Sequence, residues 1–241
     1  MTRHSNTFER VTLAVGSPYG ALLLALVAML LVYPFLGAHG AASWVLDFVT
    51  LGLVVAALRV IHGRGVTYYL SLLLGLSAFL TGLLGRSMDV TSAYPVGAGL
   101  RALFMAFLIV VIFSDIMRRR DITFDAVLGA CSVFVLLGLA FGSAYALLEW
   151  LVPGSFAIPV VPPSIASVFG HTSTEFSLLY FSLVTMSTVG FGDIVPVAAP
   201  ARSMAAIEGL LGQLYLAIII ARLVGLEIAS RLQDAAPRDR D

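Results

Sequence analysis

Six apolar stretches, each close to the length of a membrane-crossing helix, recur along the chain, and nothing else in it restricts the fold as strongly. They run from about Leu13 to Leu36, Ser43 to Val60, Val66 to Leu84, Val96 to Met117, Phe124 to Val152 and Ala201 to Leu226. Crossing a bilayer takes roughly 20 mostly apolar residues. Charged residues make up only 12% of the 241 and hydrophobic ones 59%, against about 25% charged in a soluble domain. So few charges cannot clothe a water-exposed surface, and disorder would need the opposite composition. A soluble enzyme and a disordered chain are both excluded. The fold expected is an all-α membrane protein with six transmembrane helices.

Arginine placement sets the expected orientation, because cytoplasmic loops carry the excess of basic residues. With the N-terminus inside, the inner face holds Arg3, Arg10, Arg59, Arg64, Arg118, Arg119, Arg120, Arg222, Arg231, Arg238 and Arg240. The outer face holds only Arg86, Arg101 and Arg202. Such a bias requires an even number of spans and cytoplasmic termini. Acidic and basic residues balance at 14 each, so no basic excess is available for nucleic acid.

The segment between the fifth and sixth stretches then starts and ends outside. Pro153, Pro159, Pro162 and Pro163 interrupt any regular helix. Thr174 to Ser187 is apolar but too short to span, as in a re-entrant helix. Irregular backbone at membrane depth survives only inside protein or along a water-filled path. The residues after this helix are therefore where function is expected.

They read Thr188-Val189-Gly190-Phe191-Gly192-Asp193. Glycine tolerates positive φ, and alternating left- and right-handed backbone turns successive carbonyls the same way. Thr188, Val189, Gly190 and Phe191 could then offer a ladder of oxygens, joined by the Thr188 hydroxyl, in place of the water around a monovalent cation. Val189 and Phe191 side chains would turn away and pack against the re-entrant helix.

This motif closely resembles the filter signature of the tetrameric potassium channel superfamily, whose TVGYG loops strip and coordinate K⁺ with backbone carbonyls. The resemblance covers residues 121–230 and implies an outer helix, pore helix, filter and inner helix. It implies K⁺ bound at Thr188, Val189, Gly190 and Phe191, with Gly192 completing the filter. It also implies a homotetramer, since one chain supplies one filter strand. Phe191 stands where relatives more often carry Tyr. Tyr180 and Phe181 stand where many carry Trp-Trp, and Tyr180 is expected to bond Asp193 at the outer mouth. Val184 occupies a position where some bacterial relatives place Glu, so no Glu–Asp clamp lies behind the filter.

In the last helix Gly212 follows Asp193 at the interval of the family's hinge glycine. Bending and close helix packing both remain open for it, since glycine costs about 1 kcal/mol in a helix. Gln213, Leu216, Ile220 and Val224 recur at three- or four-residue steps and are candidates for the cavity wall and gate. Glu208 is ionisable within a span and is assigned to buried hydrogen bonding. Glu149 could anchor the pore loop, and the lone Cys131 to plain packing.

A 4+2 arrangement invites comparison with voltage sensors, which need arginine at every third position. The fourth stretch has Arg101 near its outer end and no further charge until Asp115. Weak or absent voltage dependence is therefore expected. Asp47 and Arg101 both lie toward the outer face and could pair.

The expected organisation is a four-helix transmembrane domain over 1–120, a pore domain over 121–230 and a short cytoplasmic tail over 231–241. The expected function is passive K⁺ conduction by a homotetramer in a cell membrane, consistent with a bacterial inner membrane, with membrane lipid and further copies of itself as partners. A non-selective cation channel is the nearest rival; a secondary transporter and a non-conducting partner subunit stand behind it. No nucleophile–base set, nucleotide loop or metal cluster is legible, so neither catalysis nor a cofactor is expected beyond K⁺ as permeant ion.

Overall fold

The computed structural model describes residues 17–37, 50–55, 58, 65–87, 93–119, 123–159 and 174–235. Six helices are α1 (Pro18–Gly37), α2 (Val66–Ser87), α3 (Ala93–Arg118), α4 (Phe124–Leu151), α5 (Thr174–Met186) and α6 (Ala199–Ala235). Residues 50–55 are also helical. Two short strands, β1 (Phe156–Ala157) and β2 (Val195–Pro196), pair antiparallel.

The six-span expectation is corrected here. Four helices among the described residues are long and apolar enough to cross a membrane: Val66–Leu84, Pro95–Arg118, Phe124–Leu151 and Ala199–Ile228. α1 is an apolar helix of 20 residues and is not among these four. Most of the expected second span, 43–60, lies outside the described residues. Apolar composition marks burial in protein as readily as in lipid: α1 buries Tyr19, Leu22, Leu26 and Met29, while Leu24, Val27, Leu31 and Val32 stay exposed. The architecture is thus all-α, with four spans among the described residues, shorter helices and a pore-loop-like segment.

One apolar core joins α1, α3 and α4 through Leu22, Leu26, Phe104, Leu108, Ile112, Val133 and Leu136. A second lies where α4, α5 and the start of α6 meet. There Tyr145, Phe156 and Phe181 stack edge-to-face with ring centroids 5.2–5.4 Å apart, an arrangement that aligns ring edges with ring faces. Cys131 is exposed rather than packed. α6 continues past Leu226 to Ala235, so helix extends into what was read as the tail.

Candidate functional site: the segment after the re-entrant helix

The 13-residue α5 reaches its place through a bonded loop. α4 starts on an N-cap, with the Ala126 amide donating to Thr123 Oγ1 at 3.2 Å. It ends at Leu151, and the turn beyond it closes on Glu149. The Glu149 carboxylate accepts the backbone N–H of Gly154 at 2.8 Å and of Phe156 at 3.0 Å. Gly154 takes φ +82°, which makes that turn possible. β1 then pairs with β2, placing Phe156 opposite Pro196 and Ala157 opposite Val195. The chain before α5 and the chain after the filter motif are thereby tied together.

Two glycines of α4 let α5 sit close. A Cβ on Gly142 would lie 2.9 Å from Leu179 Cα, and one on Gly138 would lie 2.5 Å from Leu183 Cδ2. On the other side of α5 a Cβ on Gly212 would lie 3.0 Å from the Met186 carbonyl oxygen. Of the two readings left open for Gly212, this geometry supplies close packing. Gln213 Nε2 donates to the same oxygen at 3.4 Å.

The motif itself alternates in hand. Thr188, Gly190 and Gly192 have φ of +59°, +55° and +78°, while Val189 and Phe191 between them do not. Positive φ was expected for the glycines. At Thr188 it was not, and a β-branched residue there is strained by about 1–3 kcal/mol. The backbone is held at its base by Val184, whose carbonyl accepts the N–H of Val189 at 3.1 Å and of Gly190 at 3.4 Å. Thr188 N–H bonds the Thr185 carbonyl at 3.1 Å, and Thr188 Oγ1 donates to the Ser187 carbonyl at 2.7 Å. Val184 therefore contacts the motif through its main chain, which side-chain reading could not reveal.

Tyr180 forms a side-chain hydrogen bond with Asp193. Val189 and Phe191 do not pack on the re-entrant helix as expected. These residues are 52% and 70% exposed. Gln213, Leu216, Ile220 and Val224 are likewise exposed on α6.

Two ionisable side chains take partners that sequence reasoning did not identify. Arg101 on α3 meets Glu175 in the first turn of α5 at 2.9 Å, both largely buried; Asp47, its expected partner, lies outside the described residues. Glu208 is fully buried between Tyr145 and Ser182, within the hydrogen-bonding role expected of it. At the opposite end, Arg119 pairs with Asp115 at 2.9 Å, and Arg222 donates to the carbonyls of Ile116 and Arg119. No group of three or more His, Cys, Asp or Glu capable of holding a metal occurs among the described residues.

Residues 133–226 match the family described as "Ion channel". That stretch takes in most of α4, all of α5, the filter motif and α6 to Leu226. The chain is also 34% identical over 146 residues to "Potassium channel subfamily K member 16" of Homo sapiens, an alignment covering 57% of this chain and 40% of that protein. The matched segment is thus similar to ion channels, in keeping with passive cation conduction, and four helices among the described residues are long and apolar enough to make the chain a multi-pass membrane protein. The homotetramer of six-span subunits implied by the resemblance is withdrawn. The spans number four among the described residues, and a relative matched over 40% of its length does not transfer its subunit count.

Proposed function

We propose that the protein conducts K⁺ passively down its electrochemical gradient through a filter of main-chain oxygens at Thr188, Val189, Gly190 and Phe191, with Gly192 closing the strand and Asp193 at its mouth. The observation that carries the reading is the alternation of positive φ at Thr188, Gly190 and Gly192. Left-handed residues in every second place turn consecutive carbonyls to one side, as a desolvated ion requires. The likeness to a potassium channel over 146 residues supports the same reading.

One chain contributes one such strand, so a closed ring needs several chains. The exposure of Val189 and Phe191, and of Leu210, Leu214 and Ile218 on α6, supports packing between copies. Gln213, Leu216, Ile220 and Val224 are read as the wall and gate of the cavity below. Residues 121–230 form the pore unit in this proposal, and the preceding helices buttress it. Both termini are cytoplasmic in a cell membrane, by the arginine count. Voltage gating is weak. Arg101 is held in a buried ion pair, and one charge crossing the field supplies only about 2.3 kcal/mol per 100 mV.

The test is a bi-ionic reversal potential in liposomes holding the purified protein. A strong preference for K⁺ over Na⁺ supports the proposal. Equal permeability replaces it with a non-selective cation channel, and slow carrier-like flux with a transporter.

A further inference from the structure

Glu208 is a fully buried acid in the spanning helix α6. Burying a carboxylate is costly unless it is paired or gives up its charge. Among the described residues no arginine lies within ion-pair distance of it. Its neighbours are two hydroxyls from two other helices. Tyr145 on α4 donates to Oε2 at 2.5 Å, and Ser182 on α5 bonds Oε1.

Counting protons determines which group donates. Ser182 Oγ also lies 2.8 Å from the carbonyl oxygen of Gly138 on α4. A serine hydroxyl has one proton and a carbonyl has none. The Gly138 bond therefore uses the serine proton, and the Glu208 bond needs a proton from Glu208. Were Glu208 ionised, Ser182 would donate to it, and the 2.8 Å approach to Gly138 would set two oxygens together with no hydrogen between.

We propose that Glu208 carries its proton in this site and is a positioning residue, donating to Ser182 so that three hydrogen bonds close a circuit across α4, α6 and α5. The order is Tyr145 O–H to Glu208, Glu208 O–H to Ser182, and Ser182 O–H to the Gly138 carbonyl. It begins and ends on α4. Ser182 precedes Thr188 by six residues on the helix that delivers the filter, so the circuit sets the depth and rotation at which α5 presents it. That consequence rests on the pore reading above; the protonation state does not. Tyr145 is the titratable group facing Glu208 from α4, and Ser182 is its polar neighbour from α5.

Two measurements test this in the full-length protein in liposomes. Infrared difference spectra of wild type against Glu208→Gln, at mildly alkaline pH where exposed carboxyls are ionised, are expected to show a protonated carboxylic-acid carbonyl band in wild type alone. The K⁺ over Na⁺ permeability ratio is expected to survive in Glu208→Gln, whose amide both donates and accepts. In Glu208→Ala and Ser182→Ala, each of which removes two of the three hydrogen bonds, it is expected to fall roughly tenfold or more. Absence of the band overturns the proposal, as does a Glu208→Gln protein that fails to fold or behaves like Glu208→Ala. A band with unaltered selectivity in Glu208→Ala overturns the positioning role. If no variant and no wild type conducts, the pore reading has failed, and the band still decides the proton.

Discussion

The guanidinium of Arg101 lies 2.9 Å from the Glu175 carboxylate, fastening α3 to the first turn of α5. Glu175 sits at the N-terminal end of its helix, where the helix dipole also favours negative charge. The pair is a polar link between α3 and the helix that precedes the Thr188–Asp193 motif. Removing one partner strands a buried charge, and Arg101→Ala should cost about 3–5 kcal/mol. Thermal unfolding in detergent would measure it. An Arg101→Ala melting temperature equal to that of wild type would contradict this.

Gly142 and Gly138 make opposite predictions from their distances. A Cβ at Gly138 comes closer, 2.5 Å, but meets Leu183 Cδ2, the far end of a flexible side chain. A Cβ at Gly142 meets backbone, Leu179 Cα at 2.9 Å. Gly142→Ala should therefore be the more harmful, by about 1–3 kcal/mol, and should displace α5. Stability and K⁺ flux of the two alanine variants, compared side by side, check the ranking.

Gly190→Ala meets no atom within 4 Å, so its penalty comes from φ +55° alone. A left-handed L-residue costs roughly 1–2 kcal/mol, enough to rotate a carbonyl out of the ladder without unfolding the chain. K⁺ selectivity should fall while the melting temperature of the purified protein barely moves. Loss of selectivity only with unfolding would count against the filter assignment.

Tyr180→Phe removes the side-chain bond to Asp193 and little else. A charge-assisted hydrogen bond is worth about 1.5–3 kcal/mol. Sustained K⁺ currents should decay faster as the mouth loosens, with single-channel amplitude at onset unchanged. Currents indistinguishable from wild type would leave Tyr180 as packing alone.

Arg222→Ala should free α6 from the C-terminal end of α3, where Arg222 donates to the Ile116 carbonyl at 2.9 Å and to that of Arg119. The prediction is a change in open probability with selectivity preserved, because the filter lies at the other end of α6. Single-channel recordings would separate the two.

Much of the site was legible without coordinates. The left-handed backbone at Gly190 and Gly192 was legible because glycine opens that region, and the helix before them because it is apolar and too short to span. Their reading as filter and pore helix came from resemblance to a channel family. Tertiary structure decided the rest. A helix apolar on every face has no periodicity to say which side meets a neighbour, so only the fold shows that α1 buries Tyr19, Leu22, Leu26 and Met29 and leaves Leu24, Val27, Leu31 and Val32 exposed. Glu175 could not be read as a partner of Arg101, because the two stand 74 residues apart and meet only in the folded chain. Gly212 could bend or pack by composition, and only the approach of Met186 shows the close packing there. The bonds of Glu208 depend on three helices meeting at one point, and no stretch of sequence records that meeting.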